Sequence, residues 1–175
     1  MTGRTTTEAP LRLHTATVLP EWVDYNGHMS ESYYLFVFGE NADAFFRYVG
    51  VDDDYRAAGH SLYTVQTHLH HHREVAEGEP LDLTMRVLDM DDKRVHLFQE
   101  MFHGGDERLL ATAEQMLVHV DMTHGRSAPM PGDLRARIEA VRRAHAELPV
   151  PEAVGRPMRI RRPSVAEEDR PWTSS

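Results

Sequence analysis

The segment Asp24-Tyr25-Asn26-Gly27-His28-Met29-Ser30 runs without a break into Glu31-Ser32-Tyr33-Tyr34-Leu35-Phe36-Val37-Phe38-Gly39-Glu40-Asn41-Ala42-Asp43-Ala44-Phe45-Phe46-Arg47-Tyr48-Val49, and this junction decides the fold. In its second half Tyr34, Phe38, Ala42, Phe45 and Val49 recur at steps of three and four, the period of a helix. Leu35, Phe36, Val37 and Phe46 widen the apolar face until only Glu40, Asp43 and Arg47 mark a polar stripe. The spacing therefore predicts a helix over 31–49 that lies inside something else. The first half is rich in turn formers, and Ser30 is the expected N-cap, with free backbone amides around Glu31 to Tyr33.

Upstream, Leu11 to Val18 alternates loosely and Pro20 ends it, a short first strand. Downstream, Asp52-Asp53-Asp54 opens a one- or two-turn helix that closes at Gly59. Residues 62–75, 81–87, 95–101 and 109–122 read as strands, separated by Gly78-Glu79-Pro80, Asp91-Asp92-Lys93 and Gly104-Gly105-Asp106. The last two gaps have hairpin length, which makes their strands antiparallel neighbours. Pro131 begins a final amphipathic helix carrying Leu134, Ile138, Val141 and Leu148 on one side and arginines largely on the other.

That order gives an α+β fold: a curved antiparallel sheet of about five strands wrapped round one long apolar helix, plus a C-terminal amphipathic helix. We expect a flexible N-terminus over 1–10, one domain over 11–148 and a loosely ordered tail over 149–175, where Pro, Arg, Ser and acids dominate. An open sheet edge is commonly closed by a second copy, so a homodimer or homotetramer is expected.

Composition narrows the chemistry. With 175 residues, 19 Lys plus Arg against 28 Asp plus Glu, and a net charge of −9, nucleic acid and anionic membrane are disfavoured as partners. The absence of cysteine removes thiolate nucleophiles, disulfides and Cys-based metal sites. No apolar run reaches the ~20 residues of a membrane span, and none near the start has the ~7–15 of a secretory signal. The expectation is a cytoplasmic protein.

In the 24–30 loop a carboxylate, a carboxamide and an imidazole stand at alternate positions, and Gly27 allows close backbone approach. The helix start adds unpaired N–H groups and a positive dipole end. These are the parts thioester hydrolysis requires: a carboxylate as general base or nucleophile, and amides to hold the oxyanion, with no metal or cofactor. Asp-x-Asn-Gly is equally ordinary turn chemistry, so the residues alone leave both readings open.

The loop and the aromatic helix behind it resemble the hot-dog-fold thioesterases of the 4-hydroxybenzoyl-CoA thioesterase class, over about Leu11 to Met122. Within that class, Trp22-Val23-Asp24-Tyr25-Asn26-Gly27-His28-Met29, Val51-Asp52, Thr64-Val65-Gln66-Thr67-His68 and His119-Val120-Asp121-Met122 resemble the betainyl-CoA thioesterases of carnitine breakdown. The resemblance implies an acyl-CoA substrate, Asp24 as catalytic carboxylate and the backbone amide of Glu31 as oxyanion donor, with Asn26 and His28 orienting water and Asp24. The Asp-x-Asn-x-His spacing and Arg73-Glu74 are also similar to the plant acyl-ACP thioesterases, which implies a role for Glu74. Ser30 departs from the Asn common in relatives. For a trimethylglycyl group, Trp22, Tyr25 and Tyr33, with Gly27, are the expected substrate contacts.

Other readings are a thioesterase for a different short or branched acyl-CoA, a hydratase or dehydratase of the same fold, and a non-catalytic acyl-CoA-binding module. The hydratase loop has Asp-x-Asn-Pro-x-His, one residue longer than here. His68, His70 and His72 share one strand face, but polar surface outweighs metal binding. The Arg-rich last helix and Arg156 to Arg162 are better read as solvated surface than as a CoA phosphate site.

Overall fold

The computed structural model describes residues 7–160. Helix α1 spans Glu31–Val49, as its periodicity requires, and Gly50 ends it at φ 89°, donating its N–H to the carbonyls of Phe46 and Arg47. A side chain at Gly50 would press on the Arg137 guanidinium at 3.0 Å, so glycine answers both conformation and space. Helix α2, Asp53–Ala57, is capped by Asp52, whose carboxylate accepts from the Tyr55 N–H.

Strands β1 (Thr15–Thr17), β2 (His60–His71), β3 (Pro80–Met90), β4 (Arg94–His103) and β5 (Leu109–Asp121) form one antiparallel sheet in the order β1-β3-β4-β5-β2. The pair β6, Arg126–Ser127, adds to β5. The Asp91 and Gly104 turns join neighbours as hairpins, whereas β2 crosses to pair with β5. At the first turn Asp91 accepts from the N–H groups of Lys93 and Arg94 at 2.8 and 2.6 Å, which holds its carboxyl down at about 2. Helix α3, Gly132–His145, buries Leu134, Ile138 and Val141 as expected, and also His145, but it ends before Leu148, which was expected on the same side.

Two apolar clusters fill the space between α1 and the sheet. One joins the N-terminal half of α1, Tyr34, Val37 and Phe38, to Leu81, Leu83, Met101 and Ala113. The other joins Ala42, Phe45 and Val49 to Met85, Leu97, Leu117 and the α3 residues. A chain of amides runs between them. Asn41 Nδ2 donates to Gln99 Oε1 at 2.7 Å, Gln99 Nε2 to Gln115 Oε1 at 2.7 Å, and Gln115 Nε2 to the Thr67 hydroxyl at 3.3 Å. Asn41 and Gln99 have no solvent exposure at all.

Three expectations are adjusted. The first strand shrinks to three residues, with Leu11 contributing a separate bridge to Met85. Strand β2 begins at His60 and stops at His71, leaving Arg73 and Glu74 on the connection to β3. Helix α1 is not enclosed on every side: Leu35 and Phe36 face out, and so do Tyr63 and Val65 on the outer edge strand. Their apolar character is unspent within one chain.

Both ends of the described chain are fastened. The His145 imidazole donates from Nε2 to the Glu8 carbonyl at 3.1 Å. After α3, residues 149–156 cross the sheet face opposite α1: the Pro149 carbonyl accepts from Arg86, Ala153 lies by Phe98 and His70, and the Gly155 N–H meets Glu114 at 2.8 Å. The rest of the expected tail, 161–175, and residues 1–6 lie outside the described residues.

Candidate active site

The loop before α1 is a closed hairpin. Val23 and Met29 bridge, the Asp24 N–H donates to the His28 carbonyl at 3.0 Å, and the Gly27 N–H returns to the Asp24 carbonyl at 3.0 Å. Gly27 sits at φ 78°, a conformation that this tight reversal needs and that glycine adopts without strain. At the foot, the Ser30 N–H donates to the Trp22 carbonyl at 2.9 Å, fixing where the helix begins.

Asp24 is half-buried, and its Oδ1 accepts the Asn26 N–H at 2.8 Å. Sequence reasoning expected Asn26 and His28 to reach the carboxylate through their side chains. The structure joins the three through the backbone instead, and both side chains are exposed. Tyr25, expected to contact substrate, is at the hairpin tip and 98% exposed. The whole tip of this turn, residues 25–28, is exposed, which the spacing alone could not foresee.

Ser30 occupies the N-cap position but makes no side-chain cap hydrogen bond. The Tyr33 N–H is taken by the Ser30 carbonyl at 3.0 Å, so of the three amides expected to be free, Glu31 and Ser32 have no such partner within the helix. An oxygen anion placed here meets N–H donors and the positive end of a five-turn dipole.

Residues 73–75, on the connection that follows β2, come to the same place. The Met29 N–H donates to the Val75 carbonyl at 2.8 Å, and the Tyr34 hydroxyl to the Arg73 carbonyl at 3.3 Å. Glu74 lies between these anchors and is itself exposed. Burial pushes the Tyr34 hydroxyl up from its ordinary pKa, and the Glu74 charge adds to the rise. The His71 ring stands edge-on to Tyr34 at 4.8 Å, which sets it apart from the other histidines of the 68–72 cluster.

Trp22 stacks on Tyr33 with ring centroids 5.6 Å apart, and Phe36 stands edge-on to both. Away from this region, His68 and His70 approach at 3.2 Å between Nε2 atoms on the outer sheet face, where one donates to the other. Among the described residues no group of three His or carboxylate side chains could hold a metal ion. Arg142 and Arg143 are both paired to Glu139, and Arg161 and Arg162 lie outside the described residues. No helix of the described chain is long and apolar enough to cross a membrane.

Comparison with known proteins adds to this geometry. The family model for the Thioesterase-like superfamily matches residues 18–138. A betainyl-CoA thioesterase of Pseudomonas aeruginosa is 45% identical over 147 residues, 83% of this chain and 92% of that protein. An L-carnitine dehydrogenase/betainyl-CoA thioesterase of Rhizobium meliloti is 44% identical over 147 residues, 84% of this chain. The chain spans only 30% of that longer protein. A Staphylococcus aureus protein solved in complex with CoA superposes with a TM-score of 0.82 at 25% identity, covering 90% of this chain and 100% of that one.

Proposed function

The chain belongs to the thioesterase-like superfamily and has its hot-dog fold, and from that premise we propose that it hydrolyses acyl-CoA thioesters, with betainyl-CoA as substrate and glycine betaine and free CoA as products. One observation carries the reading furthest: a likeness of 45% that spans 92% of a betainyl-CoA thioesterase, and the half-buried Asp24 beside an open helix start supports it. The CoA complex of the Staphylococcus aureus protein supports acyl-CoA as the ligand class. The carnitine dehydrogenase in the longer relative's name supports a place in carnitine breakdown.

In the proposed reaction the thioester carbonyl oxygen lies against the Glu31 N–H. Asp24 removes a proton from water, whose oxygen adds to the carbonyl carbon, or attacks that carbon itself and is released by water in a second step. The tetrahedral oxyanion is held by the helix-start amides, the C–S bond breaks, and the thiolate leaves as CoA after taking up a proton. Asn26 holds Asp24 through its N–H, His28 closes the hairpin through its carbonyl, and Glu74 stands ready as a second carboxylate across the site. No metal or cofactor is assigned a role.

The working unit in this reading is a cytoplasmic homodimer. Among the described residues strand β2 has one edge without a partner strand, and the exposed Tyr63, Val65, Leu35 and Phe36 give a second copy something to cover. A thiol-release assay with betainyl-CoA, acetyl-CoA and a medium-chain acyl-CoA tests the function. The expected result is fastest turnover of betainyl-CoA. Fastest turnover of a neutral chain overturns the substrate, and no hydrolysis of any of the three overturns the activity.

A further inference from the structure

Trp22, Tyr33 and Phe36 form one aromatic group at the helix start. The Trp22 and Tyr33 rings are 20° from parallel at 5.6 Å, and Phe36 lies 5.8 Å from Trp22 and 6.3 Å from Tyr33, at 65° and 74°. The three come from two pieces of chain. Trp22 ends a short 3-10 turn, Pro20–Trp22, and Tyr33 and Phe36 occupy successive turns of α1. The Ser30–Trp22 backbone hydrogen bond ties these pieces together, so the rings stand at the foot of the Asp24 hairpin.

Trp22 and Tyr33 pack one side against the core cluster of Tyr34, Val37 and Phe38, and core filling leaves the rest of the group open. Tyr34, Val37 and Phe38 take the buried face of the same helix turns, whereas Phe36 is 50% exposed and Trp22 and Tyr33 are half-buried. Carboxylates stand in the same stretch, Asp24 on the hairpin and Glu31 at the first position of α1. Partly open ring faces near carboxylates suit one ligand chemistry in particular: a large cation that offers methyl groups and no hydrogen-bond donor. Such a cation is drawn to the negative ring faces and loses little hydration in reaching them.

We propose that Trp22, Tyr33 and Phe36 are the specificity-determining surface for a quaternary-ammonium acyl group, held next to the thioester at the helix start. The proposal rests on the betainyl reading and adds Phe36, which sequence reasoning placed only in the helix's apolar face. Tyr25 has no part in it. The group discriminates by charge, because a neutral acyl chain of the same shape gains only contact with the rings.

The test is the ratio of kcat/KM for betainyl-CoA and 3,3-dimethylbutanoyl-CoA, in which carbon replaces nitrogen and the shape is kept. The wild-type chain is expected to favour the cation by about tenfold or more, and Trp22→Leu and Phe36→Leu each to reduce that ratio several-fold, with Trp22→Phe keeping most of it. Equal kcat/KM for the two esters in the wild type overturns the proposal without any variant. An unchanged ratio in both Leu variants with native circular dichroism does so too, and a dissociated dimer in those variants then assigns the rings to contact between copies. Failure of betainyl-CoA alongside turnover of other acyl-CoA esters is a separate result, which overturns the substrate reading itself.

Discussion

The Met29 N–H and the Val75 carbonyl, 2.8 Å apart, couple the Asp24 hairpin to the connection that follows the edge strand. Met29 is buried and so is Val75, in the same apolar cluster as Tyr34 and Phe38. The hairpin that carries the carboxylate is thus anchored to the core, while the exposed Asn26 holds the carboxylate itself through its N–H.

Asp24→Asn removes the base while keeping a side chain that still accepts the Asn26 N–H. We expect kcat to fall about 100-fold or more, with an unchanged melting temperature. Steady-state kinetics and thermal denaturation of the same preparation check both halves. Near-normal turnover by the folded variant removes Asp24 from the mechanism.

Placing a charge on the open edge should separate the copies. Val65 is 60% exposed at an irregularity in the β2 ladder, between Thr64 and Gln66. Val65→Lys should halve the molar mass seen by sedimentation equilibrium and reduce activity with it, since lysine on an edge strand opposes pairing. A wild-type chain that sediments as a monomer and hydrolyses betainyl-CoA removes the dimer from the proposed function.

Much of this architecture is legible in the sequence because its signals are periodic. The 31–49 helix and the β3–β4–β5 hairpins follow from spacing and turn residues, and the structure keeps them within a few residues. The site is less legible. A tight hairpin makes Asn26 and His28 neighbours of Asp24 through backbone atoms, and side-chain spacing does not encode that. Tyr34 and His71 meet across 37 positions because β2 crosses to β5, a register that no local pattern contains. The exposure of Phe36 likewise depends on which side of α1 the sheet covers.

The amide chain gives a prediction about stability. Asn41→Leu breaks one buried 2.7 Å hydrogen bond and Gln99→Leu breaks two, and each partner left unpaired carries an expected cost of about 1–3 kcal/mol. The double variant should cost less than the sum, because the second substitution removes the group that the first left unpaired. Urea denaturation of the four chains measures the coupling. Strict additivity means the two amides act independently.

Acid should loosen the α3 end of the molecule through His145. Its Nδ1 accepts the Val87 N–H at 3.0 Å, which requires the neutral ring, and burial lowers its pKa, with the Arg86 charge acting in the same direction and the Glu8 carbonyl against it. The unfolded chain therefore takes up this proton first as pH falls. The stabilisation is complete above the ordinary value of 6.5 and is lost as pH drops through it toward the folded value. Between pH 7.5 and 5.5, His145→Gln should lose less stability than the wild type, as read from urea midpoints. Equal losses assign the acid sensitivity elsewhere, for instance to His70 and His72, which burial also lowers.

The strap formed by residues 149–156 bears on how the sheet can be approached. By lying over Arg86, Phe98 and Glu114 it occupies the middle of the sheet's outer surface. Any second molecule that approached this face would meet the strap before it met the strands.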